Sequence, residues 1–137
     1  MKRKLLAGLL ILLVVFASAA CGGQARPGEA DADAVAEIGQ GETVFRFEVT
    51  DPDETVTAWD VHTDEATVGA ALFAVGLIDG DETAWGLMVT EVNGVVADWD
   101  ANGAFWGFFI DGEFAVTGVD ATYIAPGVTY AFVYTAD

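Results

Sequence analysis

Beyond residue 42 the spacing of apolar positions switches between two periods, and each switch marks an element. Residues 43–50 (T-V-F-R-F-E-V-T) and 55–63 (T-V-T-A-W-D-V-H-T) alternate apolar with polar, the period of a half-buried strand. Asp51-Pro52-Asp53-Glu54 between them supplies turn chemistry, so the two runs predict a hairpin. Trp59 and Val61 are expected to face inward, and Asp60 and His62 outward. Over residues 67–76 the period lengthens. Val68, Ala71, Leu72 and Val75 fall at i, i+3, i+4 and i+7, one stripe of a helix. Asp64 or Thr67 is placed to cap its start, and Gly76 suits the left-handed position past its end. Leu77 and Ile78 then pack back, and residues 79–83 read as a loop.

The remainder is strands. Residues 85–92 and 95–97 flank Asn93-Gly94, and residues 104–110 and 113–116 flank Asp111-Gly112. Both dipeptides suit type I′ hairpin turns, whose two central residues need positive φ. Residues 92–114 therefore read as a β-meander. At its centre is Phe105-Trp106-Gly107-Phe108-Phe109, too apolar to face water on either side. Residues 129–135 form a last alternating strand with Tyr130, Phe132 and Tyr134 on one face. Two strands, a helix and a run of strands make an α+β domain, one helix on a mostly antiparallel sheet.

The first 42 residues follow another logic. Lys2, Arg3 and Lys4 precede an apolar run over residues 5–16 and small residues 17–20, the layout of a secretory signal peptide. That run is short for a membrane span, which needs about 20 residues. Cys21, the sole cysteine, follows at once, and Ser18-Ala19-Ala20-Cys21 resembles a bacterial lipobox, with Ser18 where an aliphatic residue is usual. The resemblance implies lipidation of Cys21 and anchoring to the outer face of the bacterial cell membrane. Residues 21–42, rich in Gly, Ala, Asp and Glu, read as the lipidated cysteine and a flexible acidic linker. Residues 43–137 are left as one small domain, held without an internal disulfide.

Charge narrows the partners. All 22 acidic residues lie beyond Ala20, against only Arg26 and Arg46. Such a field repels nucleic acid and anionic lipid headgroups. Beyond Ala20 there is no serine, no lysine and no cysteine except Cys21, which removes serine and thiol nucleophiles and Schiff-base chemistry. His62 is the sole histidine, so no multi-histidine metal site exists. We expect no catalysis and no required cofactor. Asp98-Trp99-Asp100-Ala101-Asn102-Gly103 matches half of a calcium loop, but the closing bidentate Glu would be Phe109. The stretch reads as an acidic inter-strand loop, and no metal is assigned.

Trp85, Trp99, Phe105, Trp106 and Tyr123 lie near turns, where flat rings can stack on a ligand. Trp99, between two aspartates, is expected to be exposed, whereas Trp106 and Phe108 suit a core better than a ligand face. An exposed aromatic loop also suits docking on a partner protein, and both alternatives stay open.

The ordered motifs resemble a known family. Thr67-Val-Gly-Ala-Ala-Leu with Gly76-Leu77-Ile78, Gly86-Leu87, Val92-Asn93-Gly94, Phe105-Trp106, Asp111-Gly112-Glu113, Thr117-Gly118-Val119-Asp120, Gly127 and Tyr134 are similar to the transcobalamin-C-terminal-like domain (DUF4430) of bacterial lipoproteins. The likeness spans about residues 43–135. It implies a small β-grasp-like fold and binding of a soluble ligand, with cobalamin or another corrinoid as the candidate. Phe105 and Trp106 match the family's Tyr-Trp, and Thr117-Gly118-Val119-Asp120 with Tyr123 match the segment near the ligand in the eukaryotic carriers. Ala125-Pro126-Gly127-Val128 replaces the usual Asp-Gly-Asp before the last strand. The carriers' large helical domain has no counterpart in these 137 residues. The resemblance therefore implies one-faced contact with a corrinoid, or completion by a partner.

Overall fold

The structure, a computed structural model, describes residues 35–137. The expected signal peptide (residues 1–20), the expected lipidation site Cys21 and residues 22–34 of the expected linker lie outside the described residues.

Ala36–Gly39 (β1) corrects the linker boundary: it is a strand, paired parallel to Val56–Thr63 with Ile38 opposite Val61. Only Ile38 of this strand packs against the core, so its apolar pattern carried no strand signal. Thr43–Thr50 (β2) and Val56–Thr63 (β3) form the expected antiparallel hairpin. Val61 is buried as expected, and Trp59 stacks on Phe47 with centroids 5.9 Å apart.

Helix α1 (Val68–Ala74) starts at Thr67, whose hydroxyl accepts the Ala70 N–H at 3.2 Å. Asp64, the other candidate cap, instead accepts the Glu42 N–H. At the far end Gly76 takes φ +75°; its N–H donates to the Phe73 carbonyl (3.1 Å) and the Leu77 N–H to the Leu72 carbonyl (3.0 Å). This crossed pair satisfies two of the helix's last carbonyls. Val68, Ala71 and Leu72 are buried, as their spacing requires.

Ile78–Thr83 (β4) corrects the expected loop at residues 79–83. It pairs antiparallel with Gly86–Val92 (β5), with a bulge between Asp79 and Gly80, and Val95–Val96 (β6) completes a three-stranded sheet. Beyond Ile78 its side chains are Asp79, Gly80, Asp81, Glu82 and Thr83, an acidic edge that discourages further pairing. Residues 98–103 also differ from expectation. They hold a helical turn, Trp99–Asn102 (α2), capped by Asp98, whose carboxylate accepts the Asp100 and Ala101 N–H groups at 2.9 and 3.1 Å. Asn102 donates to the Tyr134 hydroxyl at 3.2 Å. The Asp98 and Asn102 side chains are thus turned to backbone and tyrosine, not gathered around a cation.

Ala104–Ile110 (β7), Glu113–Phe114 (β8) and Thr129–Ala136 (β9) join the first hairpin in a six-stranded sheet of order β1-β3-β2-β9-β7-β8. β9 runs parallel to β2 and antiparallel to β7. The expected meander is therefore corrected: the Asn93-Gly94 and Asp111-Gly112 turns belong to different sheets, and β2 and β9, not β7, are central. Nor is β7 covered on both faces. Trp106 and Phe108 point into the core, while Phe105 is 40% exposed on the outer face.

The inner face of the large sheet is closed by α1, the small sheet and a 3-10 turn, Val119–Ala121, over a core including Phe47, Val49, Phe132 and Tyr130. The result is a sheet-dominated α+β domain. At the hairpin Asp111 and Gly112 take φ +49° and +81°, and a Cβ on Gly112 meets no atom within 4 Å. Gly112→Ala therefore carries left-handed strain alone. A loss of about 1–2 kcal/mol in urea unfolding is expected.

Candidate ligand cleft beside helix α1

A glycine on α1 lets a second element sit against the helix. A Cβ on Gly69 would lie 2.7 Å from the Asp120 Cα, so the 3-10 turn rests directly on α1. Val119, 3% exposed, anchors that turn in the core. Asp120 reaches the other way, and its Oδ2 accepts the Leu87 N–H of β5 at 3.0 Å. Gly86 and Gly118 crowd the carboxylate so closely that a Cβ on either would come within 3 Å of it.

The surrounding chain is held as firmly. Thr122 donates its hydroxyl to the Gly118 carbonyl at 2.9 Å, and its own carbonyl accepts the Val68 N–H at 2.9 Å. Tyr130 O–H donates to the Tyr123 carbonyl (3.2 Å) and accepts the Ala125 N–H (2.9 Å). Residues 118–125 are thereby strapped across the start of α1.

Between α1, the β4–β5 hairpin and Asp120 lies a cleft of about 300 Å³, lined by Thr67, Gly69, Ala70, Phe73, Glu82, Leu87 and Asp120. Ala70, Phe73 and Leu87 give it apolar walls, and Thr67, Glu82 and Asp120 supply oxygen. Phe73, 57% exposed, also lines a second recess of about 310 Å³ with Leu77, Ile78 and Glu91. Its ring is thus a ridge between two hollows. Such a volume is at the small end for ligand sites, which run from about 300 to 1,000 Å³.

The residues proposed from sequence fall into three places. Thr117, Gly118, Val119 and Tyr123 lie in or beside the strap; Thr117 shares a hydroxyl contact with Thr122 at 3.2 Å, and Tyr123 is 75% exposed. Trp99 and Phe105 pair on the outer face of the large sheet, their centroids 6.2 Å apart. Trp106 is in the core: its Nε1–H donates to the Val95 carbonyl at 3.0 Å and its ring stands edge-on to Tyr134. It joins the two sheets and presents no face to a ligand. Trp106→Phe would leave a carbonyl without its donor. The expected cost is about 1–3 kcal/mol in urea unfolding.

Sequence reasoning missed Phe73 and Glu82, named Leu87 only within a motif, and reached Asp120 only through the resemblance, as part of the segment near the ligand. Phe73 had a signal: it is a large apolar residue off the Val68–Ala71–Leu72–Val75 stripe, where a surface helix normally carries polar side chains.

Fold and cleft together define a sheet-dominated α+β domain with a small recess between its helix and its lesser sheet. Solved structures share this architecture. A proposed metal-binding protein from Ruminococcus gnavus ATCC 29149 superposes with a TM-score of 0.66 at 26% identity, covering 70% of this chain and 99% of its own. Haptocorrin in complex with Cbi superposes with a TM-score of 0.58 at 14% identity, covering 72% of this chain but only 26% of haptocorrin. The second likeness is one of fold. No family model matches the chain, and no curated protein matches it.

Proposed function

We propose that this chain is a non-catalytic binding module for a small soluble ligand, carried on the outer face of a bacterial cell membrane by a lipid on Cys21. The observation that carries the ligand reading is the cleft itself: a concave site with apolar walls, lined also by three oxygen-bearing side chains and walled by a strapped segment. The strand order β3-β2-β9-β7-β8, with α1 following the first hairpin, supports a β-grasp-like domain of the DUF4430 kind. Haptocorrin's complex with Cbi supports a corrinoid as the ligand to test first. A corrinoid is too large for about 300 Å³, so it would lie across the Phe73 ridge and insert a side group. Among the described residues no three His, Cys, Asp or Glu side chains gather as metal ligands, so we read the cleft for an organic ligand rather than for the metal proposed in the R. gnavus protein.

Calorimetry with cobalamin and cobinamide on soluble protein beginning at Gly22 tests this. Heat that saturates, and that vanishes in Phe73→Asp, is the expected result; no heat with either ligand removes the corrinoid.

A second reading, docking on a partner protein, has its own observation. Trp99, Phe105 and Phe114 are 60%, 40% and 63% exposed, with Phe109 edge-on to Phe114, on the outer face of the large sheet beside α2. Trp99→Ala should change stability by less than about 0.5 kcal/mol. If that face docks, the variant should no longer recover from detergent-solubilised membranes the partner that the unaltered protein recovers.

A further inference from the structure

Resting on the cleft as the ligand site, we infer that it selects an apolar small molecule with a hydrogen-bond-donating, non-anionic head: an organic ammonium first, a carboxamide second. The cleft's charge is one-sided. Asp120 and Glu82 both line it, and Glu82 stands opposite Leu87 in the β4–β5 ladder. Asp120 spends Oδ2 on the Leu87 N–H; Oδ1 has no hydrogen-bond donor among the described residues. Nothing basic answers them. Arg46 is the only lysine or arginine among the described residues. It is committed elsewhere: its Nε–H donates to Asp60 at 2.7 Å, a bond that also raises its pKa above the ordinary value. His62 faces Glu37 at 3.9 Å.

Glu82 is exposed and Asp120 half-buried, and both line the cleft beside its apolar wall, so an entering cation meets two negative charges. The same charges repel an anion. The Phe73 ring adds a face on which an ammonium is attracted. The remaining wall, Gly69, Ala70 and Leu87, offers room and apolar contact but no side-chain donor. The one hydroxyl, on Thr67, accepts the Ala70 N–H and keeps its own proton to donate, without adding charge of either sign. Shape and apolar contact therefore admit a ring or short chain, and charge decides its head group.

Three compounds with one ring separate these effects: benzylamine, benzamide and benzoate, titrated into uniformly ¹⁵N-labelled protein beginning at Gly22. Benzylamine should move the Thr67, Gly69, Ala70, Leu87 and Asp120 amides saturably, benzamide more weakly, and benzoate not at all. The double variant Asp120→Asn, Glu82→Gln keeps an acceptor for the Leu87 N–H. It should bind benzylamine about tenfold more weakly and lose less of its affinity for benzamide, whose head carries no charge. Equal binding of benzylamine and benzoate overturns the inference, as does undiminished benzylamine binding by the double variant. So do shifts spread over the acidic loops, which would report diffuse attraction to a negative surface. Should cobinamide move the cleft amides while benzylamine does not, the head-group preference fails and the cleft remains a ligand site. Should nothing move them, the ligand reading fails as well.

Discussion

Phe132→Ala is expected to lower the thermal midpoint by roughly 15–30 °C. The ring is 1% exposed on β9, the strand shared by β2 and β7. It stacks on Phe108 at 5.1 Å and stands edge-on to Phe47 at 6.1 Å. Truncating a buried phenylalanine costs about 3–5 kcal/mol. For a domain near 100 residues each kcal/mol is worth about 4–8 °C. Total stability of such a domain is only about 5–15 kcal/mol. Cys21 is the sole cysteine, so no internal disulfide offsets the loss. Phe105→Ala, in the same sheet but facing outward, is the control and should cost far less. Circular dichroism melts compare the two; similar drops would mean that the inner and outer faces of β7 and β9 are wrongly assigned.

Gly69→Ala sets two effects against each other. Within a helix, alanine is favoured over glycine by about 1 kcal/mol. Here the added Cβ would sit 2.7 and 2.8 Å from the Asp120 Cα and N and 3.0 Å from the Val119 carbonyl carbon, all backbone. Backbone in a strapped turn cannot move aside cheaply, and overpacking of this kind costs about 1–3 kcal/mol or more. The clash should win. We expect a net loss of about 2 kcal/mol in urea unfolding, together with loss of ligand-induced amide shifts at Leu87, because the displaced turn carries Asp120 with it. A stabilised variant would show that the 3-10 turn does not rest on α1.

The elements that were legible in the chain share one property: their own residues carry the whole signal. β2, β3, β9 and α1 each bury one face, so period alone reveals them. The left-handed residues Gly76, Asn93-Gly94 and Asp111-Gly112 were legible because few residue types tolerate positive φ. β1 and β4 were not legible. Each has one buried or half-buried large apolar side chain, Ile38 or Ile78, and is a strand because a neighbour offers its backbone groups. Residues 98–103 read as an inter-strand loop because the helical turn there, Trp99–Asn102, is too short to show a helical period.

Locally, then, the sequence by itself determined the hairpin, the helix and its glycine end, the tight turns, the acidic surface and the absence of an internal disulfide. Each depends on side-chain chemistry within a few residues, or on composition alone. Only the tertiary structure decided which strands are central, that Trp106 is core while Trp99 is surface, and that Phe73, Glu82, Leu87 and Asp120 line one cleft. Those four residues come from α1, β4, β5 and the 3-10 turn, separated by as many as 47 positions in the chain. No period or motif links them; they meet because Gly69 lets a turn lie on a helix and Asp120 ties that turn to the β5 backbone.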